Sequence, residues 1–157
     1  MVGLVGGSAP ASALPRSATI TTAGLGAIKI GMSERQVERA AKRPITRREG
    51  AGTGGCTTAK LGDKLFGLFA GPRLARIYVG SRRYATRSGV RVGDSEQTVI
   101  AIYAGQIVRE RHAYRPGGSY LKVVDGNRKV VFDTDGRRVT QISTGRAPEI
   151  DYVEGCA

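Results

Sequence analysis

The 157-residue chain has no tryptophan, one histidine, two cysteines and two methionines. A lone histidine without a CxxC pair cannot supply the three or four imidazole and thiolate donors of a usual zinc site, so no metal and no cofactor is expected. Apolar runs are short as well, and none nears the ~18 residues that a membrane-spanning helix needs. Aromatic bulk is small, with six tyrosines to three phenylalanines, while glycine is plentiful at 23 residues. That balance favours tight turns and strands over a helical bundle. A chain of this length can bury one continuous core.

Acid is the other scarce commodity. Thirteen Asp and Glu face 25 Lys and Arg, a formal charge of +12 carried mostly by arginine. Such a surface attracts polyanions: nucleic acid, acidic envelope polymers, anionic lipid or an acidic protein. The positive residues are scattered, however, at Arg47-Arg48, Arg82-Arg83, Arg109, Arg111, Arg128-Lys129 and Arg137-Arg138. Beside turns they also read as solvated loop charges.

What is present most conspicuously is an internal echo. Ile28-Lys29-Ile30-Gly31-Met32-Ser33-Glu34 aligns with Val90-Arg91-Val92-Gly93-Asp94-Ser95-Glu96. Each copy runs from an apolar-basic-apolar triplet through a glycine turn to a serine that can cap a helix. Ser33 with Gln36 forms a capping box, and the first helix runs to about Lys42 with Val37, Ala40 and Ala41 on one face and Glu38 paired to Lys42. Pro44 stops it. In the second copy Asp94 or Ser95 caps, and Val99, Ile102 and Tyr103 form the buried stripe.

After each helix come alternating segments, predicted as antiparallel strands at 56–61, 65–70 and 74–79, then at 111–114, 119–124, 130–133 and 139–143. Phe69 matches Phe132 and Ile77 matches Ile142 across the repeat. The fold class is therefore α+β, two tandem units each with a short helical segment packed on an antiparallel sheet. The units span 24–81 and 89–157, joined by a linker at 82–88. Residues 1–23 read as a signal-peptide remnant or disordered leader: Ala11-Ser12-Ala13 has the A-x-A form of a cleavage site but lacks the charged segment before it. Order is expected to begin near Gly24.

Cys56 and Cys156 can form a staple from the C-terminal tail to the first unit, which implies an oxidising, extracytoplasmic compartment. The competing reading is two free thiols in a reducing cytosol.

Three motifs carry a family resemblance: I-x-I-G-M-S at 28–33, T-x-x-G-V-x-V-G-D-S at 86–95 and D-Y-V-E-G-C at 151–156. Together they resemble uncharacterised exported proteins of actinobacteria. Through the glycine-serine entry into its helix, each half also resembles the repeat of the beta-lactamase inhibitory protein and of the related outer-membrane-assembly lipoprotein domain. The resemblance implies a protein-binding scaffold whose sheets form a concave docking surface. It does not imply lactamase inhibition, because that inhibitor closes loops within each unit by separate cysteine pairs, and no functional residue carries over.

Other constellations point nowhere catalytic. Gly50 to Gly55 follows a helix and lacks the Gly-Lys-Ser/Thr of a phosphate loop, so it reads as a mobile connection. Asp133-Thr134-Asp135-Gly136 lacks the distal glutamate of a calcium loop and reads as a hairpin turn. His112, Ser119 and Asp125 have no nucleophile elbow to join them. Tyrosines interleaved with arginines are the residue types of interface hot spots and of base stacking alike. The candidate partner-binding residues are Tyr78, Arg82, Arg83, Tyr84, Arg111, Tyr114, Tyr120 and Arg128. The expected function is that of a monomeric, non-catalytic exported protein, docking a protein or acidic envelope component through its sheet face and basic loops. The alternative is an intracellular nucleic-acid-binding protein.

Overall fold

A computed structural model describes residues 14–48 and 55–156. The expectations for 1–13 and for the glycine-rich stretch at 50–54 lie outside the described residues. The chain opens with three short strands, β1 (Thr19–Thr21), β2 (Gly24–Leu25) and β3 (Ile28–Lys29), and helix α1 (Glu34–Ala41). Strands β4 (Thr46–Arg48), β5 (Cys56–Gly62), β6 (Leu65–Ala70), β7 (Arg73–Val79) and β8 (Ala85–Thr86) precede helix α2 (Glu96–Ile102). Strands β9 (Ile107–Arg111), β10 (Ser119–Asp125), β11 (Arg128–Thr134) and β12 (Val139–Arg146) follow, and a 3-10 turn at Glu149–Asp151 comes last. The fold is α+β.

Local chemistry accounts for both helix starts. The Ser33 hydroxyl accepts the Gln36 N–H at 3.3 Å while the Gln36 side chain accepts the Ser33 N–H at 2.8 Å. Ser95 caps α2 by accepting the Thr98 N–H at 3.0 Å, and Asp94 instead accepts the Arg91 N–H at 2.8 Å. Lys42 ends α1 in a left-handed conformation, φ 54°. The Glu38 carboxylate, expected to pair with Lys42, accepts the Ile45 N–H at 3.2 Å.

Among the described residues the large sheet has eight strands in the order β4-β5-β6-β7-β12-β11-β10-β9. Each helix is tied to it in the same manner. Leu74 donates to the Met32 carbonyl and accepts from the Gly31 N–H, as Val139 donates to Asp94 and accepts from Gly93. At the centre β7 and β12 pair antiparallel, with Ile142 opposite Val79, Ser143 opposite Tyr78 and Thr144 opposite Ile77. One cluster of buried side chains, including Ile28, Val37, Phe69, Ile77, Val99, Phe132 and Ile142, runs under the helix side of the sheet.

Several sequence expectations shift. Residues 14–23 are built into the fold: β1 pairs with β2 and, in parallel, with β8, and Ile20 is buried. The 82–88 linker thereby contributes a strand to a small four-stranded sheet, β3-β2-β1-β8. Gly24, at φ 145°, permits the β1–β2 turn, since a Cβ there would lie 2.1 Å from the Ile28 carbonyl oxygen. The strand expected at 111–114 lies earlier, at Ile107–Arg111. It ends where the His112 Nδ1 accepts the N–H groups of both Tyr114 and Arg115 at 3.1 Å. In α2, Ile102 is 42% exposed and Glu96 is buried in its stead. The Glu96 carboxylate takes an ion pair from Arg109 at 2.5 Å and a hydrogen bond from the Thr134 hydroxyl. Among the described residues no helix is long and apolar enough to cross a membrane.

Phe132 is fully buried, packs against Tyr103 at 5.5 Å between ring centroids and belongs to the shared core. Phe132→Ala is expected to lower the unfolding free energy by about 3–5 kcal/mol. Urea denaturation should show this as a fall in midpoint with an unchanged slope.

Candidate docking surface

The register assigns side chains to the two faces of the large sheet. Tyr78 faces the same way as Ser143, Val131 and Lys122 across the ladder, and as Gln141, Asp133, Tyr120 and Glu110 one row over. Leu68 and Arg76 share that face. It is the side away from the helices, and the end of the chain crosses it. Residues 147–156 form a strap that leaves β12, makes the 3-10 turn and returns to Cys56 on β5 through the Cys56–Cys156 disulfide, S–S 2.01 Å.

The strap is held by charge as well as by sulfur. Arg76, only 5% exposed, donates to the carbonyls of Glu149 at 3.3 Å and Tyr152 at 2.7 Å, and to the Ser143 hydroxyl at 3.0 Å. Its guanidinium also lies 4.4 Å from the Tyr78 ring centroid. Asp151 is clasped by Lys122 at 3.0 Å and Lys129 at 2.5 Å, with Glu110 on the other side of Lys122 at 2.9 Å. Ile150, 2% exposed, is the strap's apolar anchor. Farther along, the Tyr114 hydroxyl donates to the Glu154 carboxylate.

The fit under the strap is incomplete. A cavity of about 80 Å³ remains between Ile150, Tyr152 and the sheet, floored by Arg76, Tyr78, Lys122 and Asp133. Among the described residues, the buried Arg76 Nε and Asp133 Oδ1 have no protein hydrogen-bond partner. Burial pushes the Asp133 carboxyl above its ordinary value despite nearby Arg76. Burial likewise raises the Tyr78 phenol, with Arg76 opposing. Leaving such groups unpaired costs about 1–3 kcal/mol each.

Beside the strap lies a larger groove of about 580 Å³, lined by Cys56, Ala70, Tyr114, Tyr152, Val153 and Glu154 among others. Its rim carries exposed apolar surface: Tyr114 is 63%, Val153 52% and Tyr152 41% exposed. These side chains can bury area on a partner. No metal-holding cluster of His, Cys, Asp and Glu occurs among the described residues.

The sequence-chosen residues divide. Tyr78, Tyr120 and Tyr114 gather on the strap side, with His112 stacked on Tyr120 at 4.5 Å. Tyr84 is corrected: it is 5% exposed and belongs to the core cluster, so it offers little surface to a partner. Arg83 donates to the Leu14 carbonyl at 2.9 Å, and Arg91 holds the carbonyls of Arg82 and Arg83. Arg82 packs against Gly93, so this cluster serves the chain's own connections. Arg111 stands at the exposed end of edge strand β9, and Arg128 at the β10–β11 turn. Arg73 and Arg138 likewise donate to the carbonyls of Gly31 and Gly93. Among the described residues Arg73, Arg76, Arg83, Arg91 and Arg138 thus donate to backbone oxygens.

Sequence reasoning missed Arg76, Lys122, Ile150 and Asp151. The signal was present in the tail, where Glu149, Asp151 and Glu154 stand together in a chain with only 13 acids.

No protein-family model matches the chain, and no curated protein does. Solved structures do match in fold. The uncharacterised protein yfeY from Escherichia coli superimposes with a TM-score of 0.59 at 13% identity, over 82% of this chain and 99% of that one. An extracellular protein containing an SCP domain, from Bacillus anthracis, gives 0.53 at 11% identity, over 75% of this chain and 44% of that protein. This chain therefore spans less than half of the Bacillus protein.

The clasp has a definite pH signature. Burial works against the Asp151 charge, but hydrogen bonds from Lys129 and Lys122 outweigh it and hold the carboxyl below its ordinary value. A folded pKa below the unfolded one stabilises at pH values above the usual ~3.9 of an aspartate, and that contribution disappears as pH falls through the lowered value. Asp133 has the opposite sign, since its raised pKa favours the folded state once it is protonated. Hydrogen-exchange protection at residues 150–152 should therefore hold at pH 5–7 and fall below about pH 4, before the sheet amides lose theirs. An Asp151→Asn variant should show weaker strap protection at pH 7 and no such acid step.

Proposed function

We propose that this is an exported, non-catalytic binding protein that docks a protein partner on the strap side of its large sheet. The observation that carries the reading is the groove beside the strap, whose rim exposes Tyr114, Tyr152 and Val153. Tyrosine is a residue type enriched at interface anchors, and here two tyrosines beside a covalent staple supply it, with Val153 adding apolar area. Export is supported by the disulfide, which persists in oxidising compartments, and by the extracellular description of the Bacillus neighbour.

A duplicated architecture fits the same role. Ser33 and Ser95, and Leu74 and Val139, take matching hydrogen-bonded positions, and the β7–β12 register relates Ile77 and Val79 to Ile142 and Thr144 about the Tyr78–Ser143 pair. The sequence match of Phe69 to Phe132 does not hold: Gly67 faces Ile77 as Phe132 faces Ile142, and Phe69 faces Leu74 as Thr134 faces Val139. Two fused units give one broad outer face that neither has alone. Against the nucleic-acid reading stand the arginines already bonded to main-chain carbonyls.

The test places a photo-crosslinking phenylalanine analogue at Tyr114 or Val153, and as a control at the exposed Arg35 of α1, in the cells that naturally make the protein. The groove positions should capture the same partner while Arg35 captures none. Purified, that partner should bind the Tyr114→Ala/Val153→Ser double variant at least tenfold more weakly. The melting temperature should stay within about 3 °C, because both changes are at the surface. Equal capture at Arg35, or tight DNA binding by the oxidised protein with a steep salt dependence, would overturn the reading.

A further inference from the structure

The strap is an acidic peptide lying on a floor of mixed charge, where Arg76, Lys122 and Lys129 outnumber Glu110 and Asp133. Its acids are Glu149, Asp151 and Glu154, with no base between Arg146 and the terminus. The floor offers Lys122, Lys129 and the buried Arg76. Arg76 meets main-chain carbonyls, Lys122 and Lys129 meet the Asp151 carboxylate, and Ile150 fills the apolar spot between them. This is the division of labour by which a groove recognises a peptide: backbone oxygens bound by a fixed donor, one side chain pocketed and one charge paired. Yet the Arg76 Nε and Asp133 Oδ1 are left without a protein partner over an unfilled cavity of about 80 Å³. A space of that size facing two polar groups is roomy enough for bridging water, so the strap meets this part of the floor without packed side chains.

We infer that the outer sheet face is an acidic-peptide-binding surface, that the strap is its resident occupant, and that the partner inserts an acidic segment with one aliphatic anchor in the strap's place. This rests on the docking reading above for the strap side of the sheet and for Tyr114, and it specifies the partner, which meets Tyr152 and Val153 first and then takes their segment's place on the sheet. The disulfide does not forbid the exchange, because the residues between Arg146 and Cys156 can lift as a loop that stays anchored at both ends. The tether does keep the strap at a high local concentration, so an incoming peptide must outcompete it.

The decisive experiment uses the full-length chain carrying Ile150→Ser, Asp151→Asn and Cys156→Ser, which frees the strap, beside the oxidised wild type. Each is titrated by fluorescence anisotropy with a fluorescein-labelled peptide of sequence APEIDYVEG, and hydrogen exchange is followed on both proteins. The strap amides should lose protection while β7, β10, β11 and β12 keep theirs. The freed protein should bind the peptide at least tenfold more tightly than the wild type, and adding Lys122→Glu should reverse at least tenfold of that gain. Loss of sheet protection in the freed protein would make the strap part of the core and overturn the inference. Retained sheet protection without peptide binding, or binding indifferent to Lys122→Glu, would overturn it equally. Crosslinking at Tyr114 of the oxidised wild type reports separately on the docking reading. Capture there with no peptide binding removes the inference alone, whereas absence of capture removes the docking reading whatever the peptide does.

Discussion

The antiparallel seam between β7 and β12 is the contact on which the other features of the molecule depend. It joins two four-stranded ladders into one sheet, so that the side chains beneath them merge into a single core rather than two small ones. Small cores are marginal because too little surface is buried to offset chain entropy, and fusion relieves that limit. The seam needs close approach. A Cβ at Gly145 would sit 2.5 Å from the Ala75 carbonyl oxygen, so the end of β12 can lie against β7 only with glycine there. The same juncture brings Arg76 beside Ser143 and directs the guanidinium at the carbonyls of the emerging strap. Seam, strap anchor and outer face are thus one local arrangement.

Charge is used in two distinct ways. On the helix side, Arg73, Arg83, Arg91 and Arg138 donate to loop carbonyls that hydrogen-bonded strands cannot reach. These bonds satisfy backbone oxygens in a chain with many turns. On the strap side the charges are fewer and more sheltered. The Lys122 side chain is 10% exposed, so its pairing with Glu110 and Asp151 is screened less than a surface pair, for which ~0–1 kcal/mol is usual. Burial alone would favour the neutral amine, but the two carboxylates reverse this and raise its pKa. The strap is therefore held by interactions that are strong where they are made and incomplete between them.

What the sequence reveals follows the range of the interactions involved. The capping box at Ser33, the serine cap at Ser95, the Asp125-Gly126 and Asp135-Gly136 turns and the main hairpins depend on residues a few places apart, and they can be read directly. The cysteine pair is readable because there are only two to pair. Strand β1 is not, since Thr19–Thr21 carries little pattern and acquires its place from β8, far along the chain. Strand β9 was displaced because its exposed Val-Arg-Glu-Arg run is an edge with no alternation to betray it, while His112 stops it by bonds to its own loop. Glu96 lies outside the stripe of Val99, Ile102 and Tyr103 that the sequence marks as buried. Only the arrival of Thr134 and Arg109 from β11 and β9 makes its burial tolerable. The strap site escapes for the same reason, because Arg76 and Tyr152 meet across 76 residues of chain.

A staple and an ionic clasp on the same ten-residue segment would be redundant if the strap were simply a piece of core. Closing a loop of about a hundred residues by a disulfide is worth at most about 4.7 kcal/mol, a gain taken from the unfolded chain and indifferent to how well the strap lies on the sheet. The clasp acts on the folded state alone and fixes the lie of the segment. Ile150 is the single strap side chain sunk into the sheet, while Tyr152 and Val153 point their surface outward into the groove. The disulfide therefore keeps the strap present, and the lysines and Arg76 keep it positioned, with its aromatic side turned to solvent. That division lets a segment remain attached above a surface that keeps the polar groups of Arg76 and Asp133 beneath it. Tethering secures proximity, the charges secure register, and neither requires the close packing that would make the segment immovable.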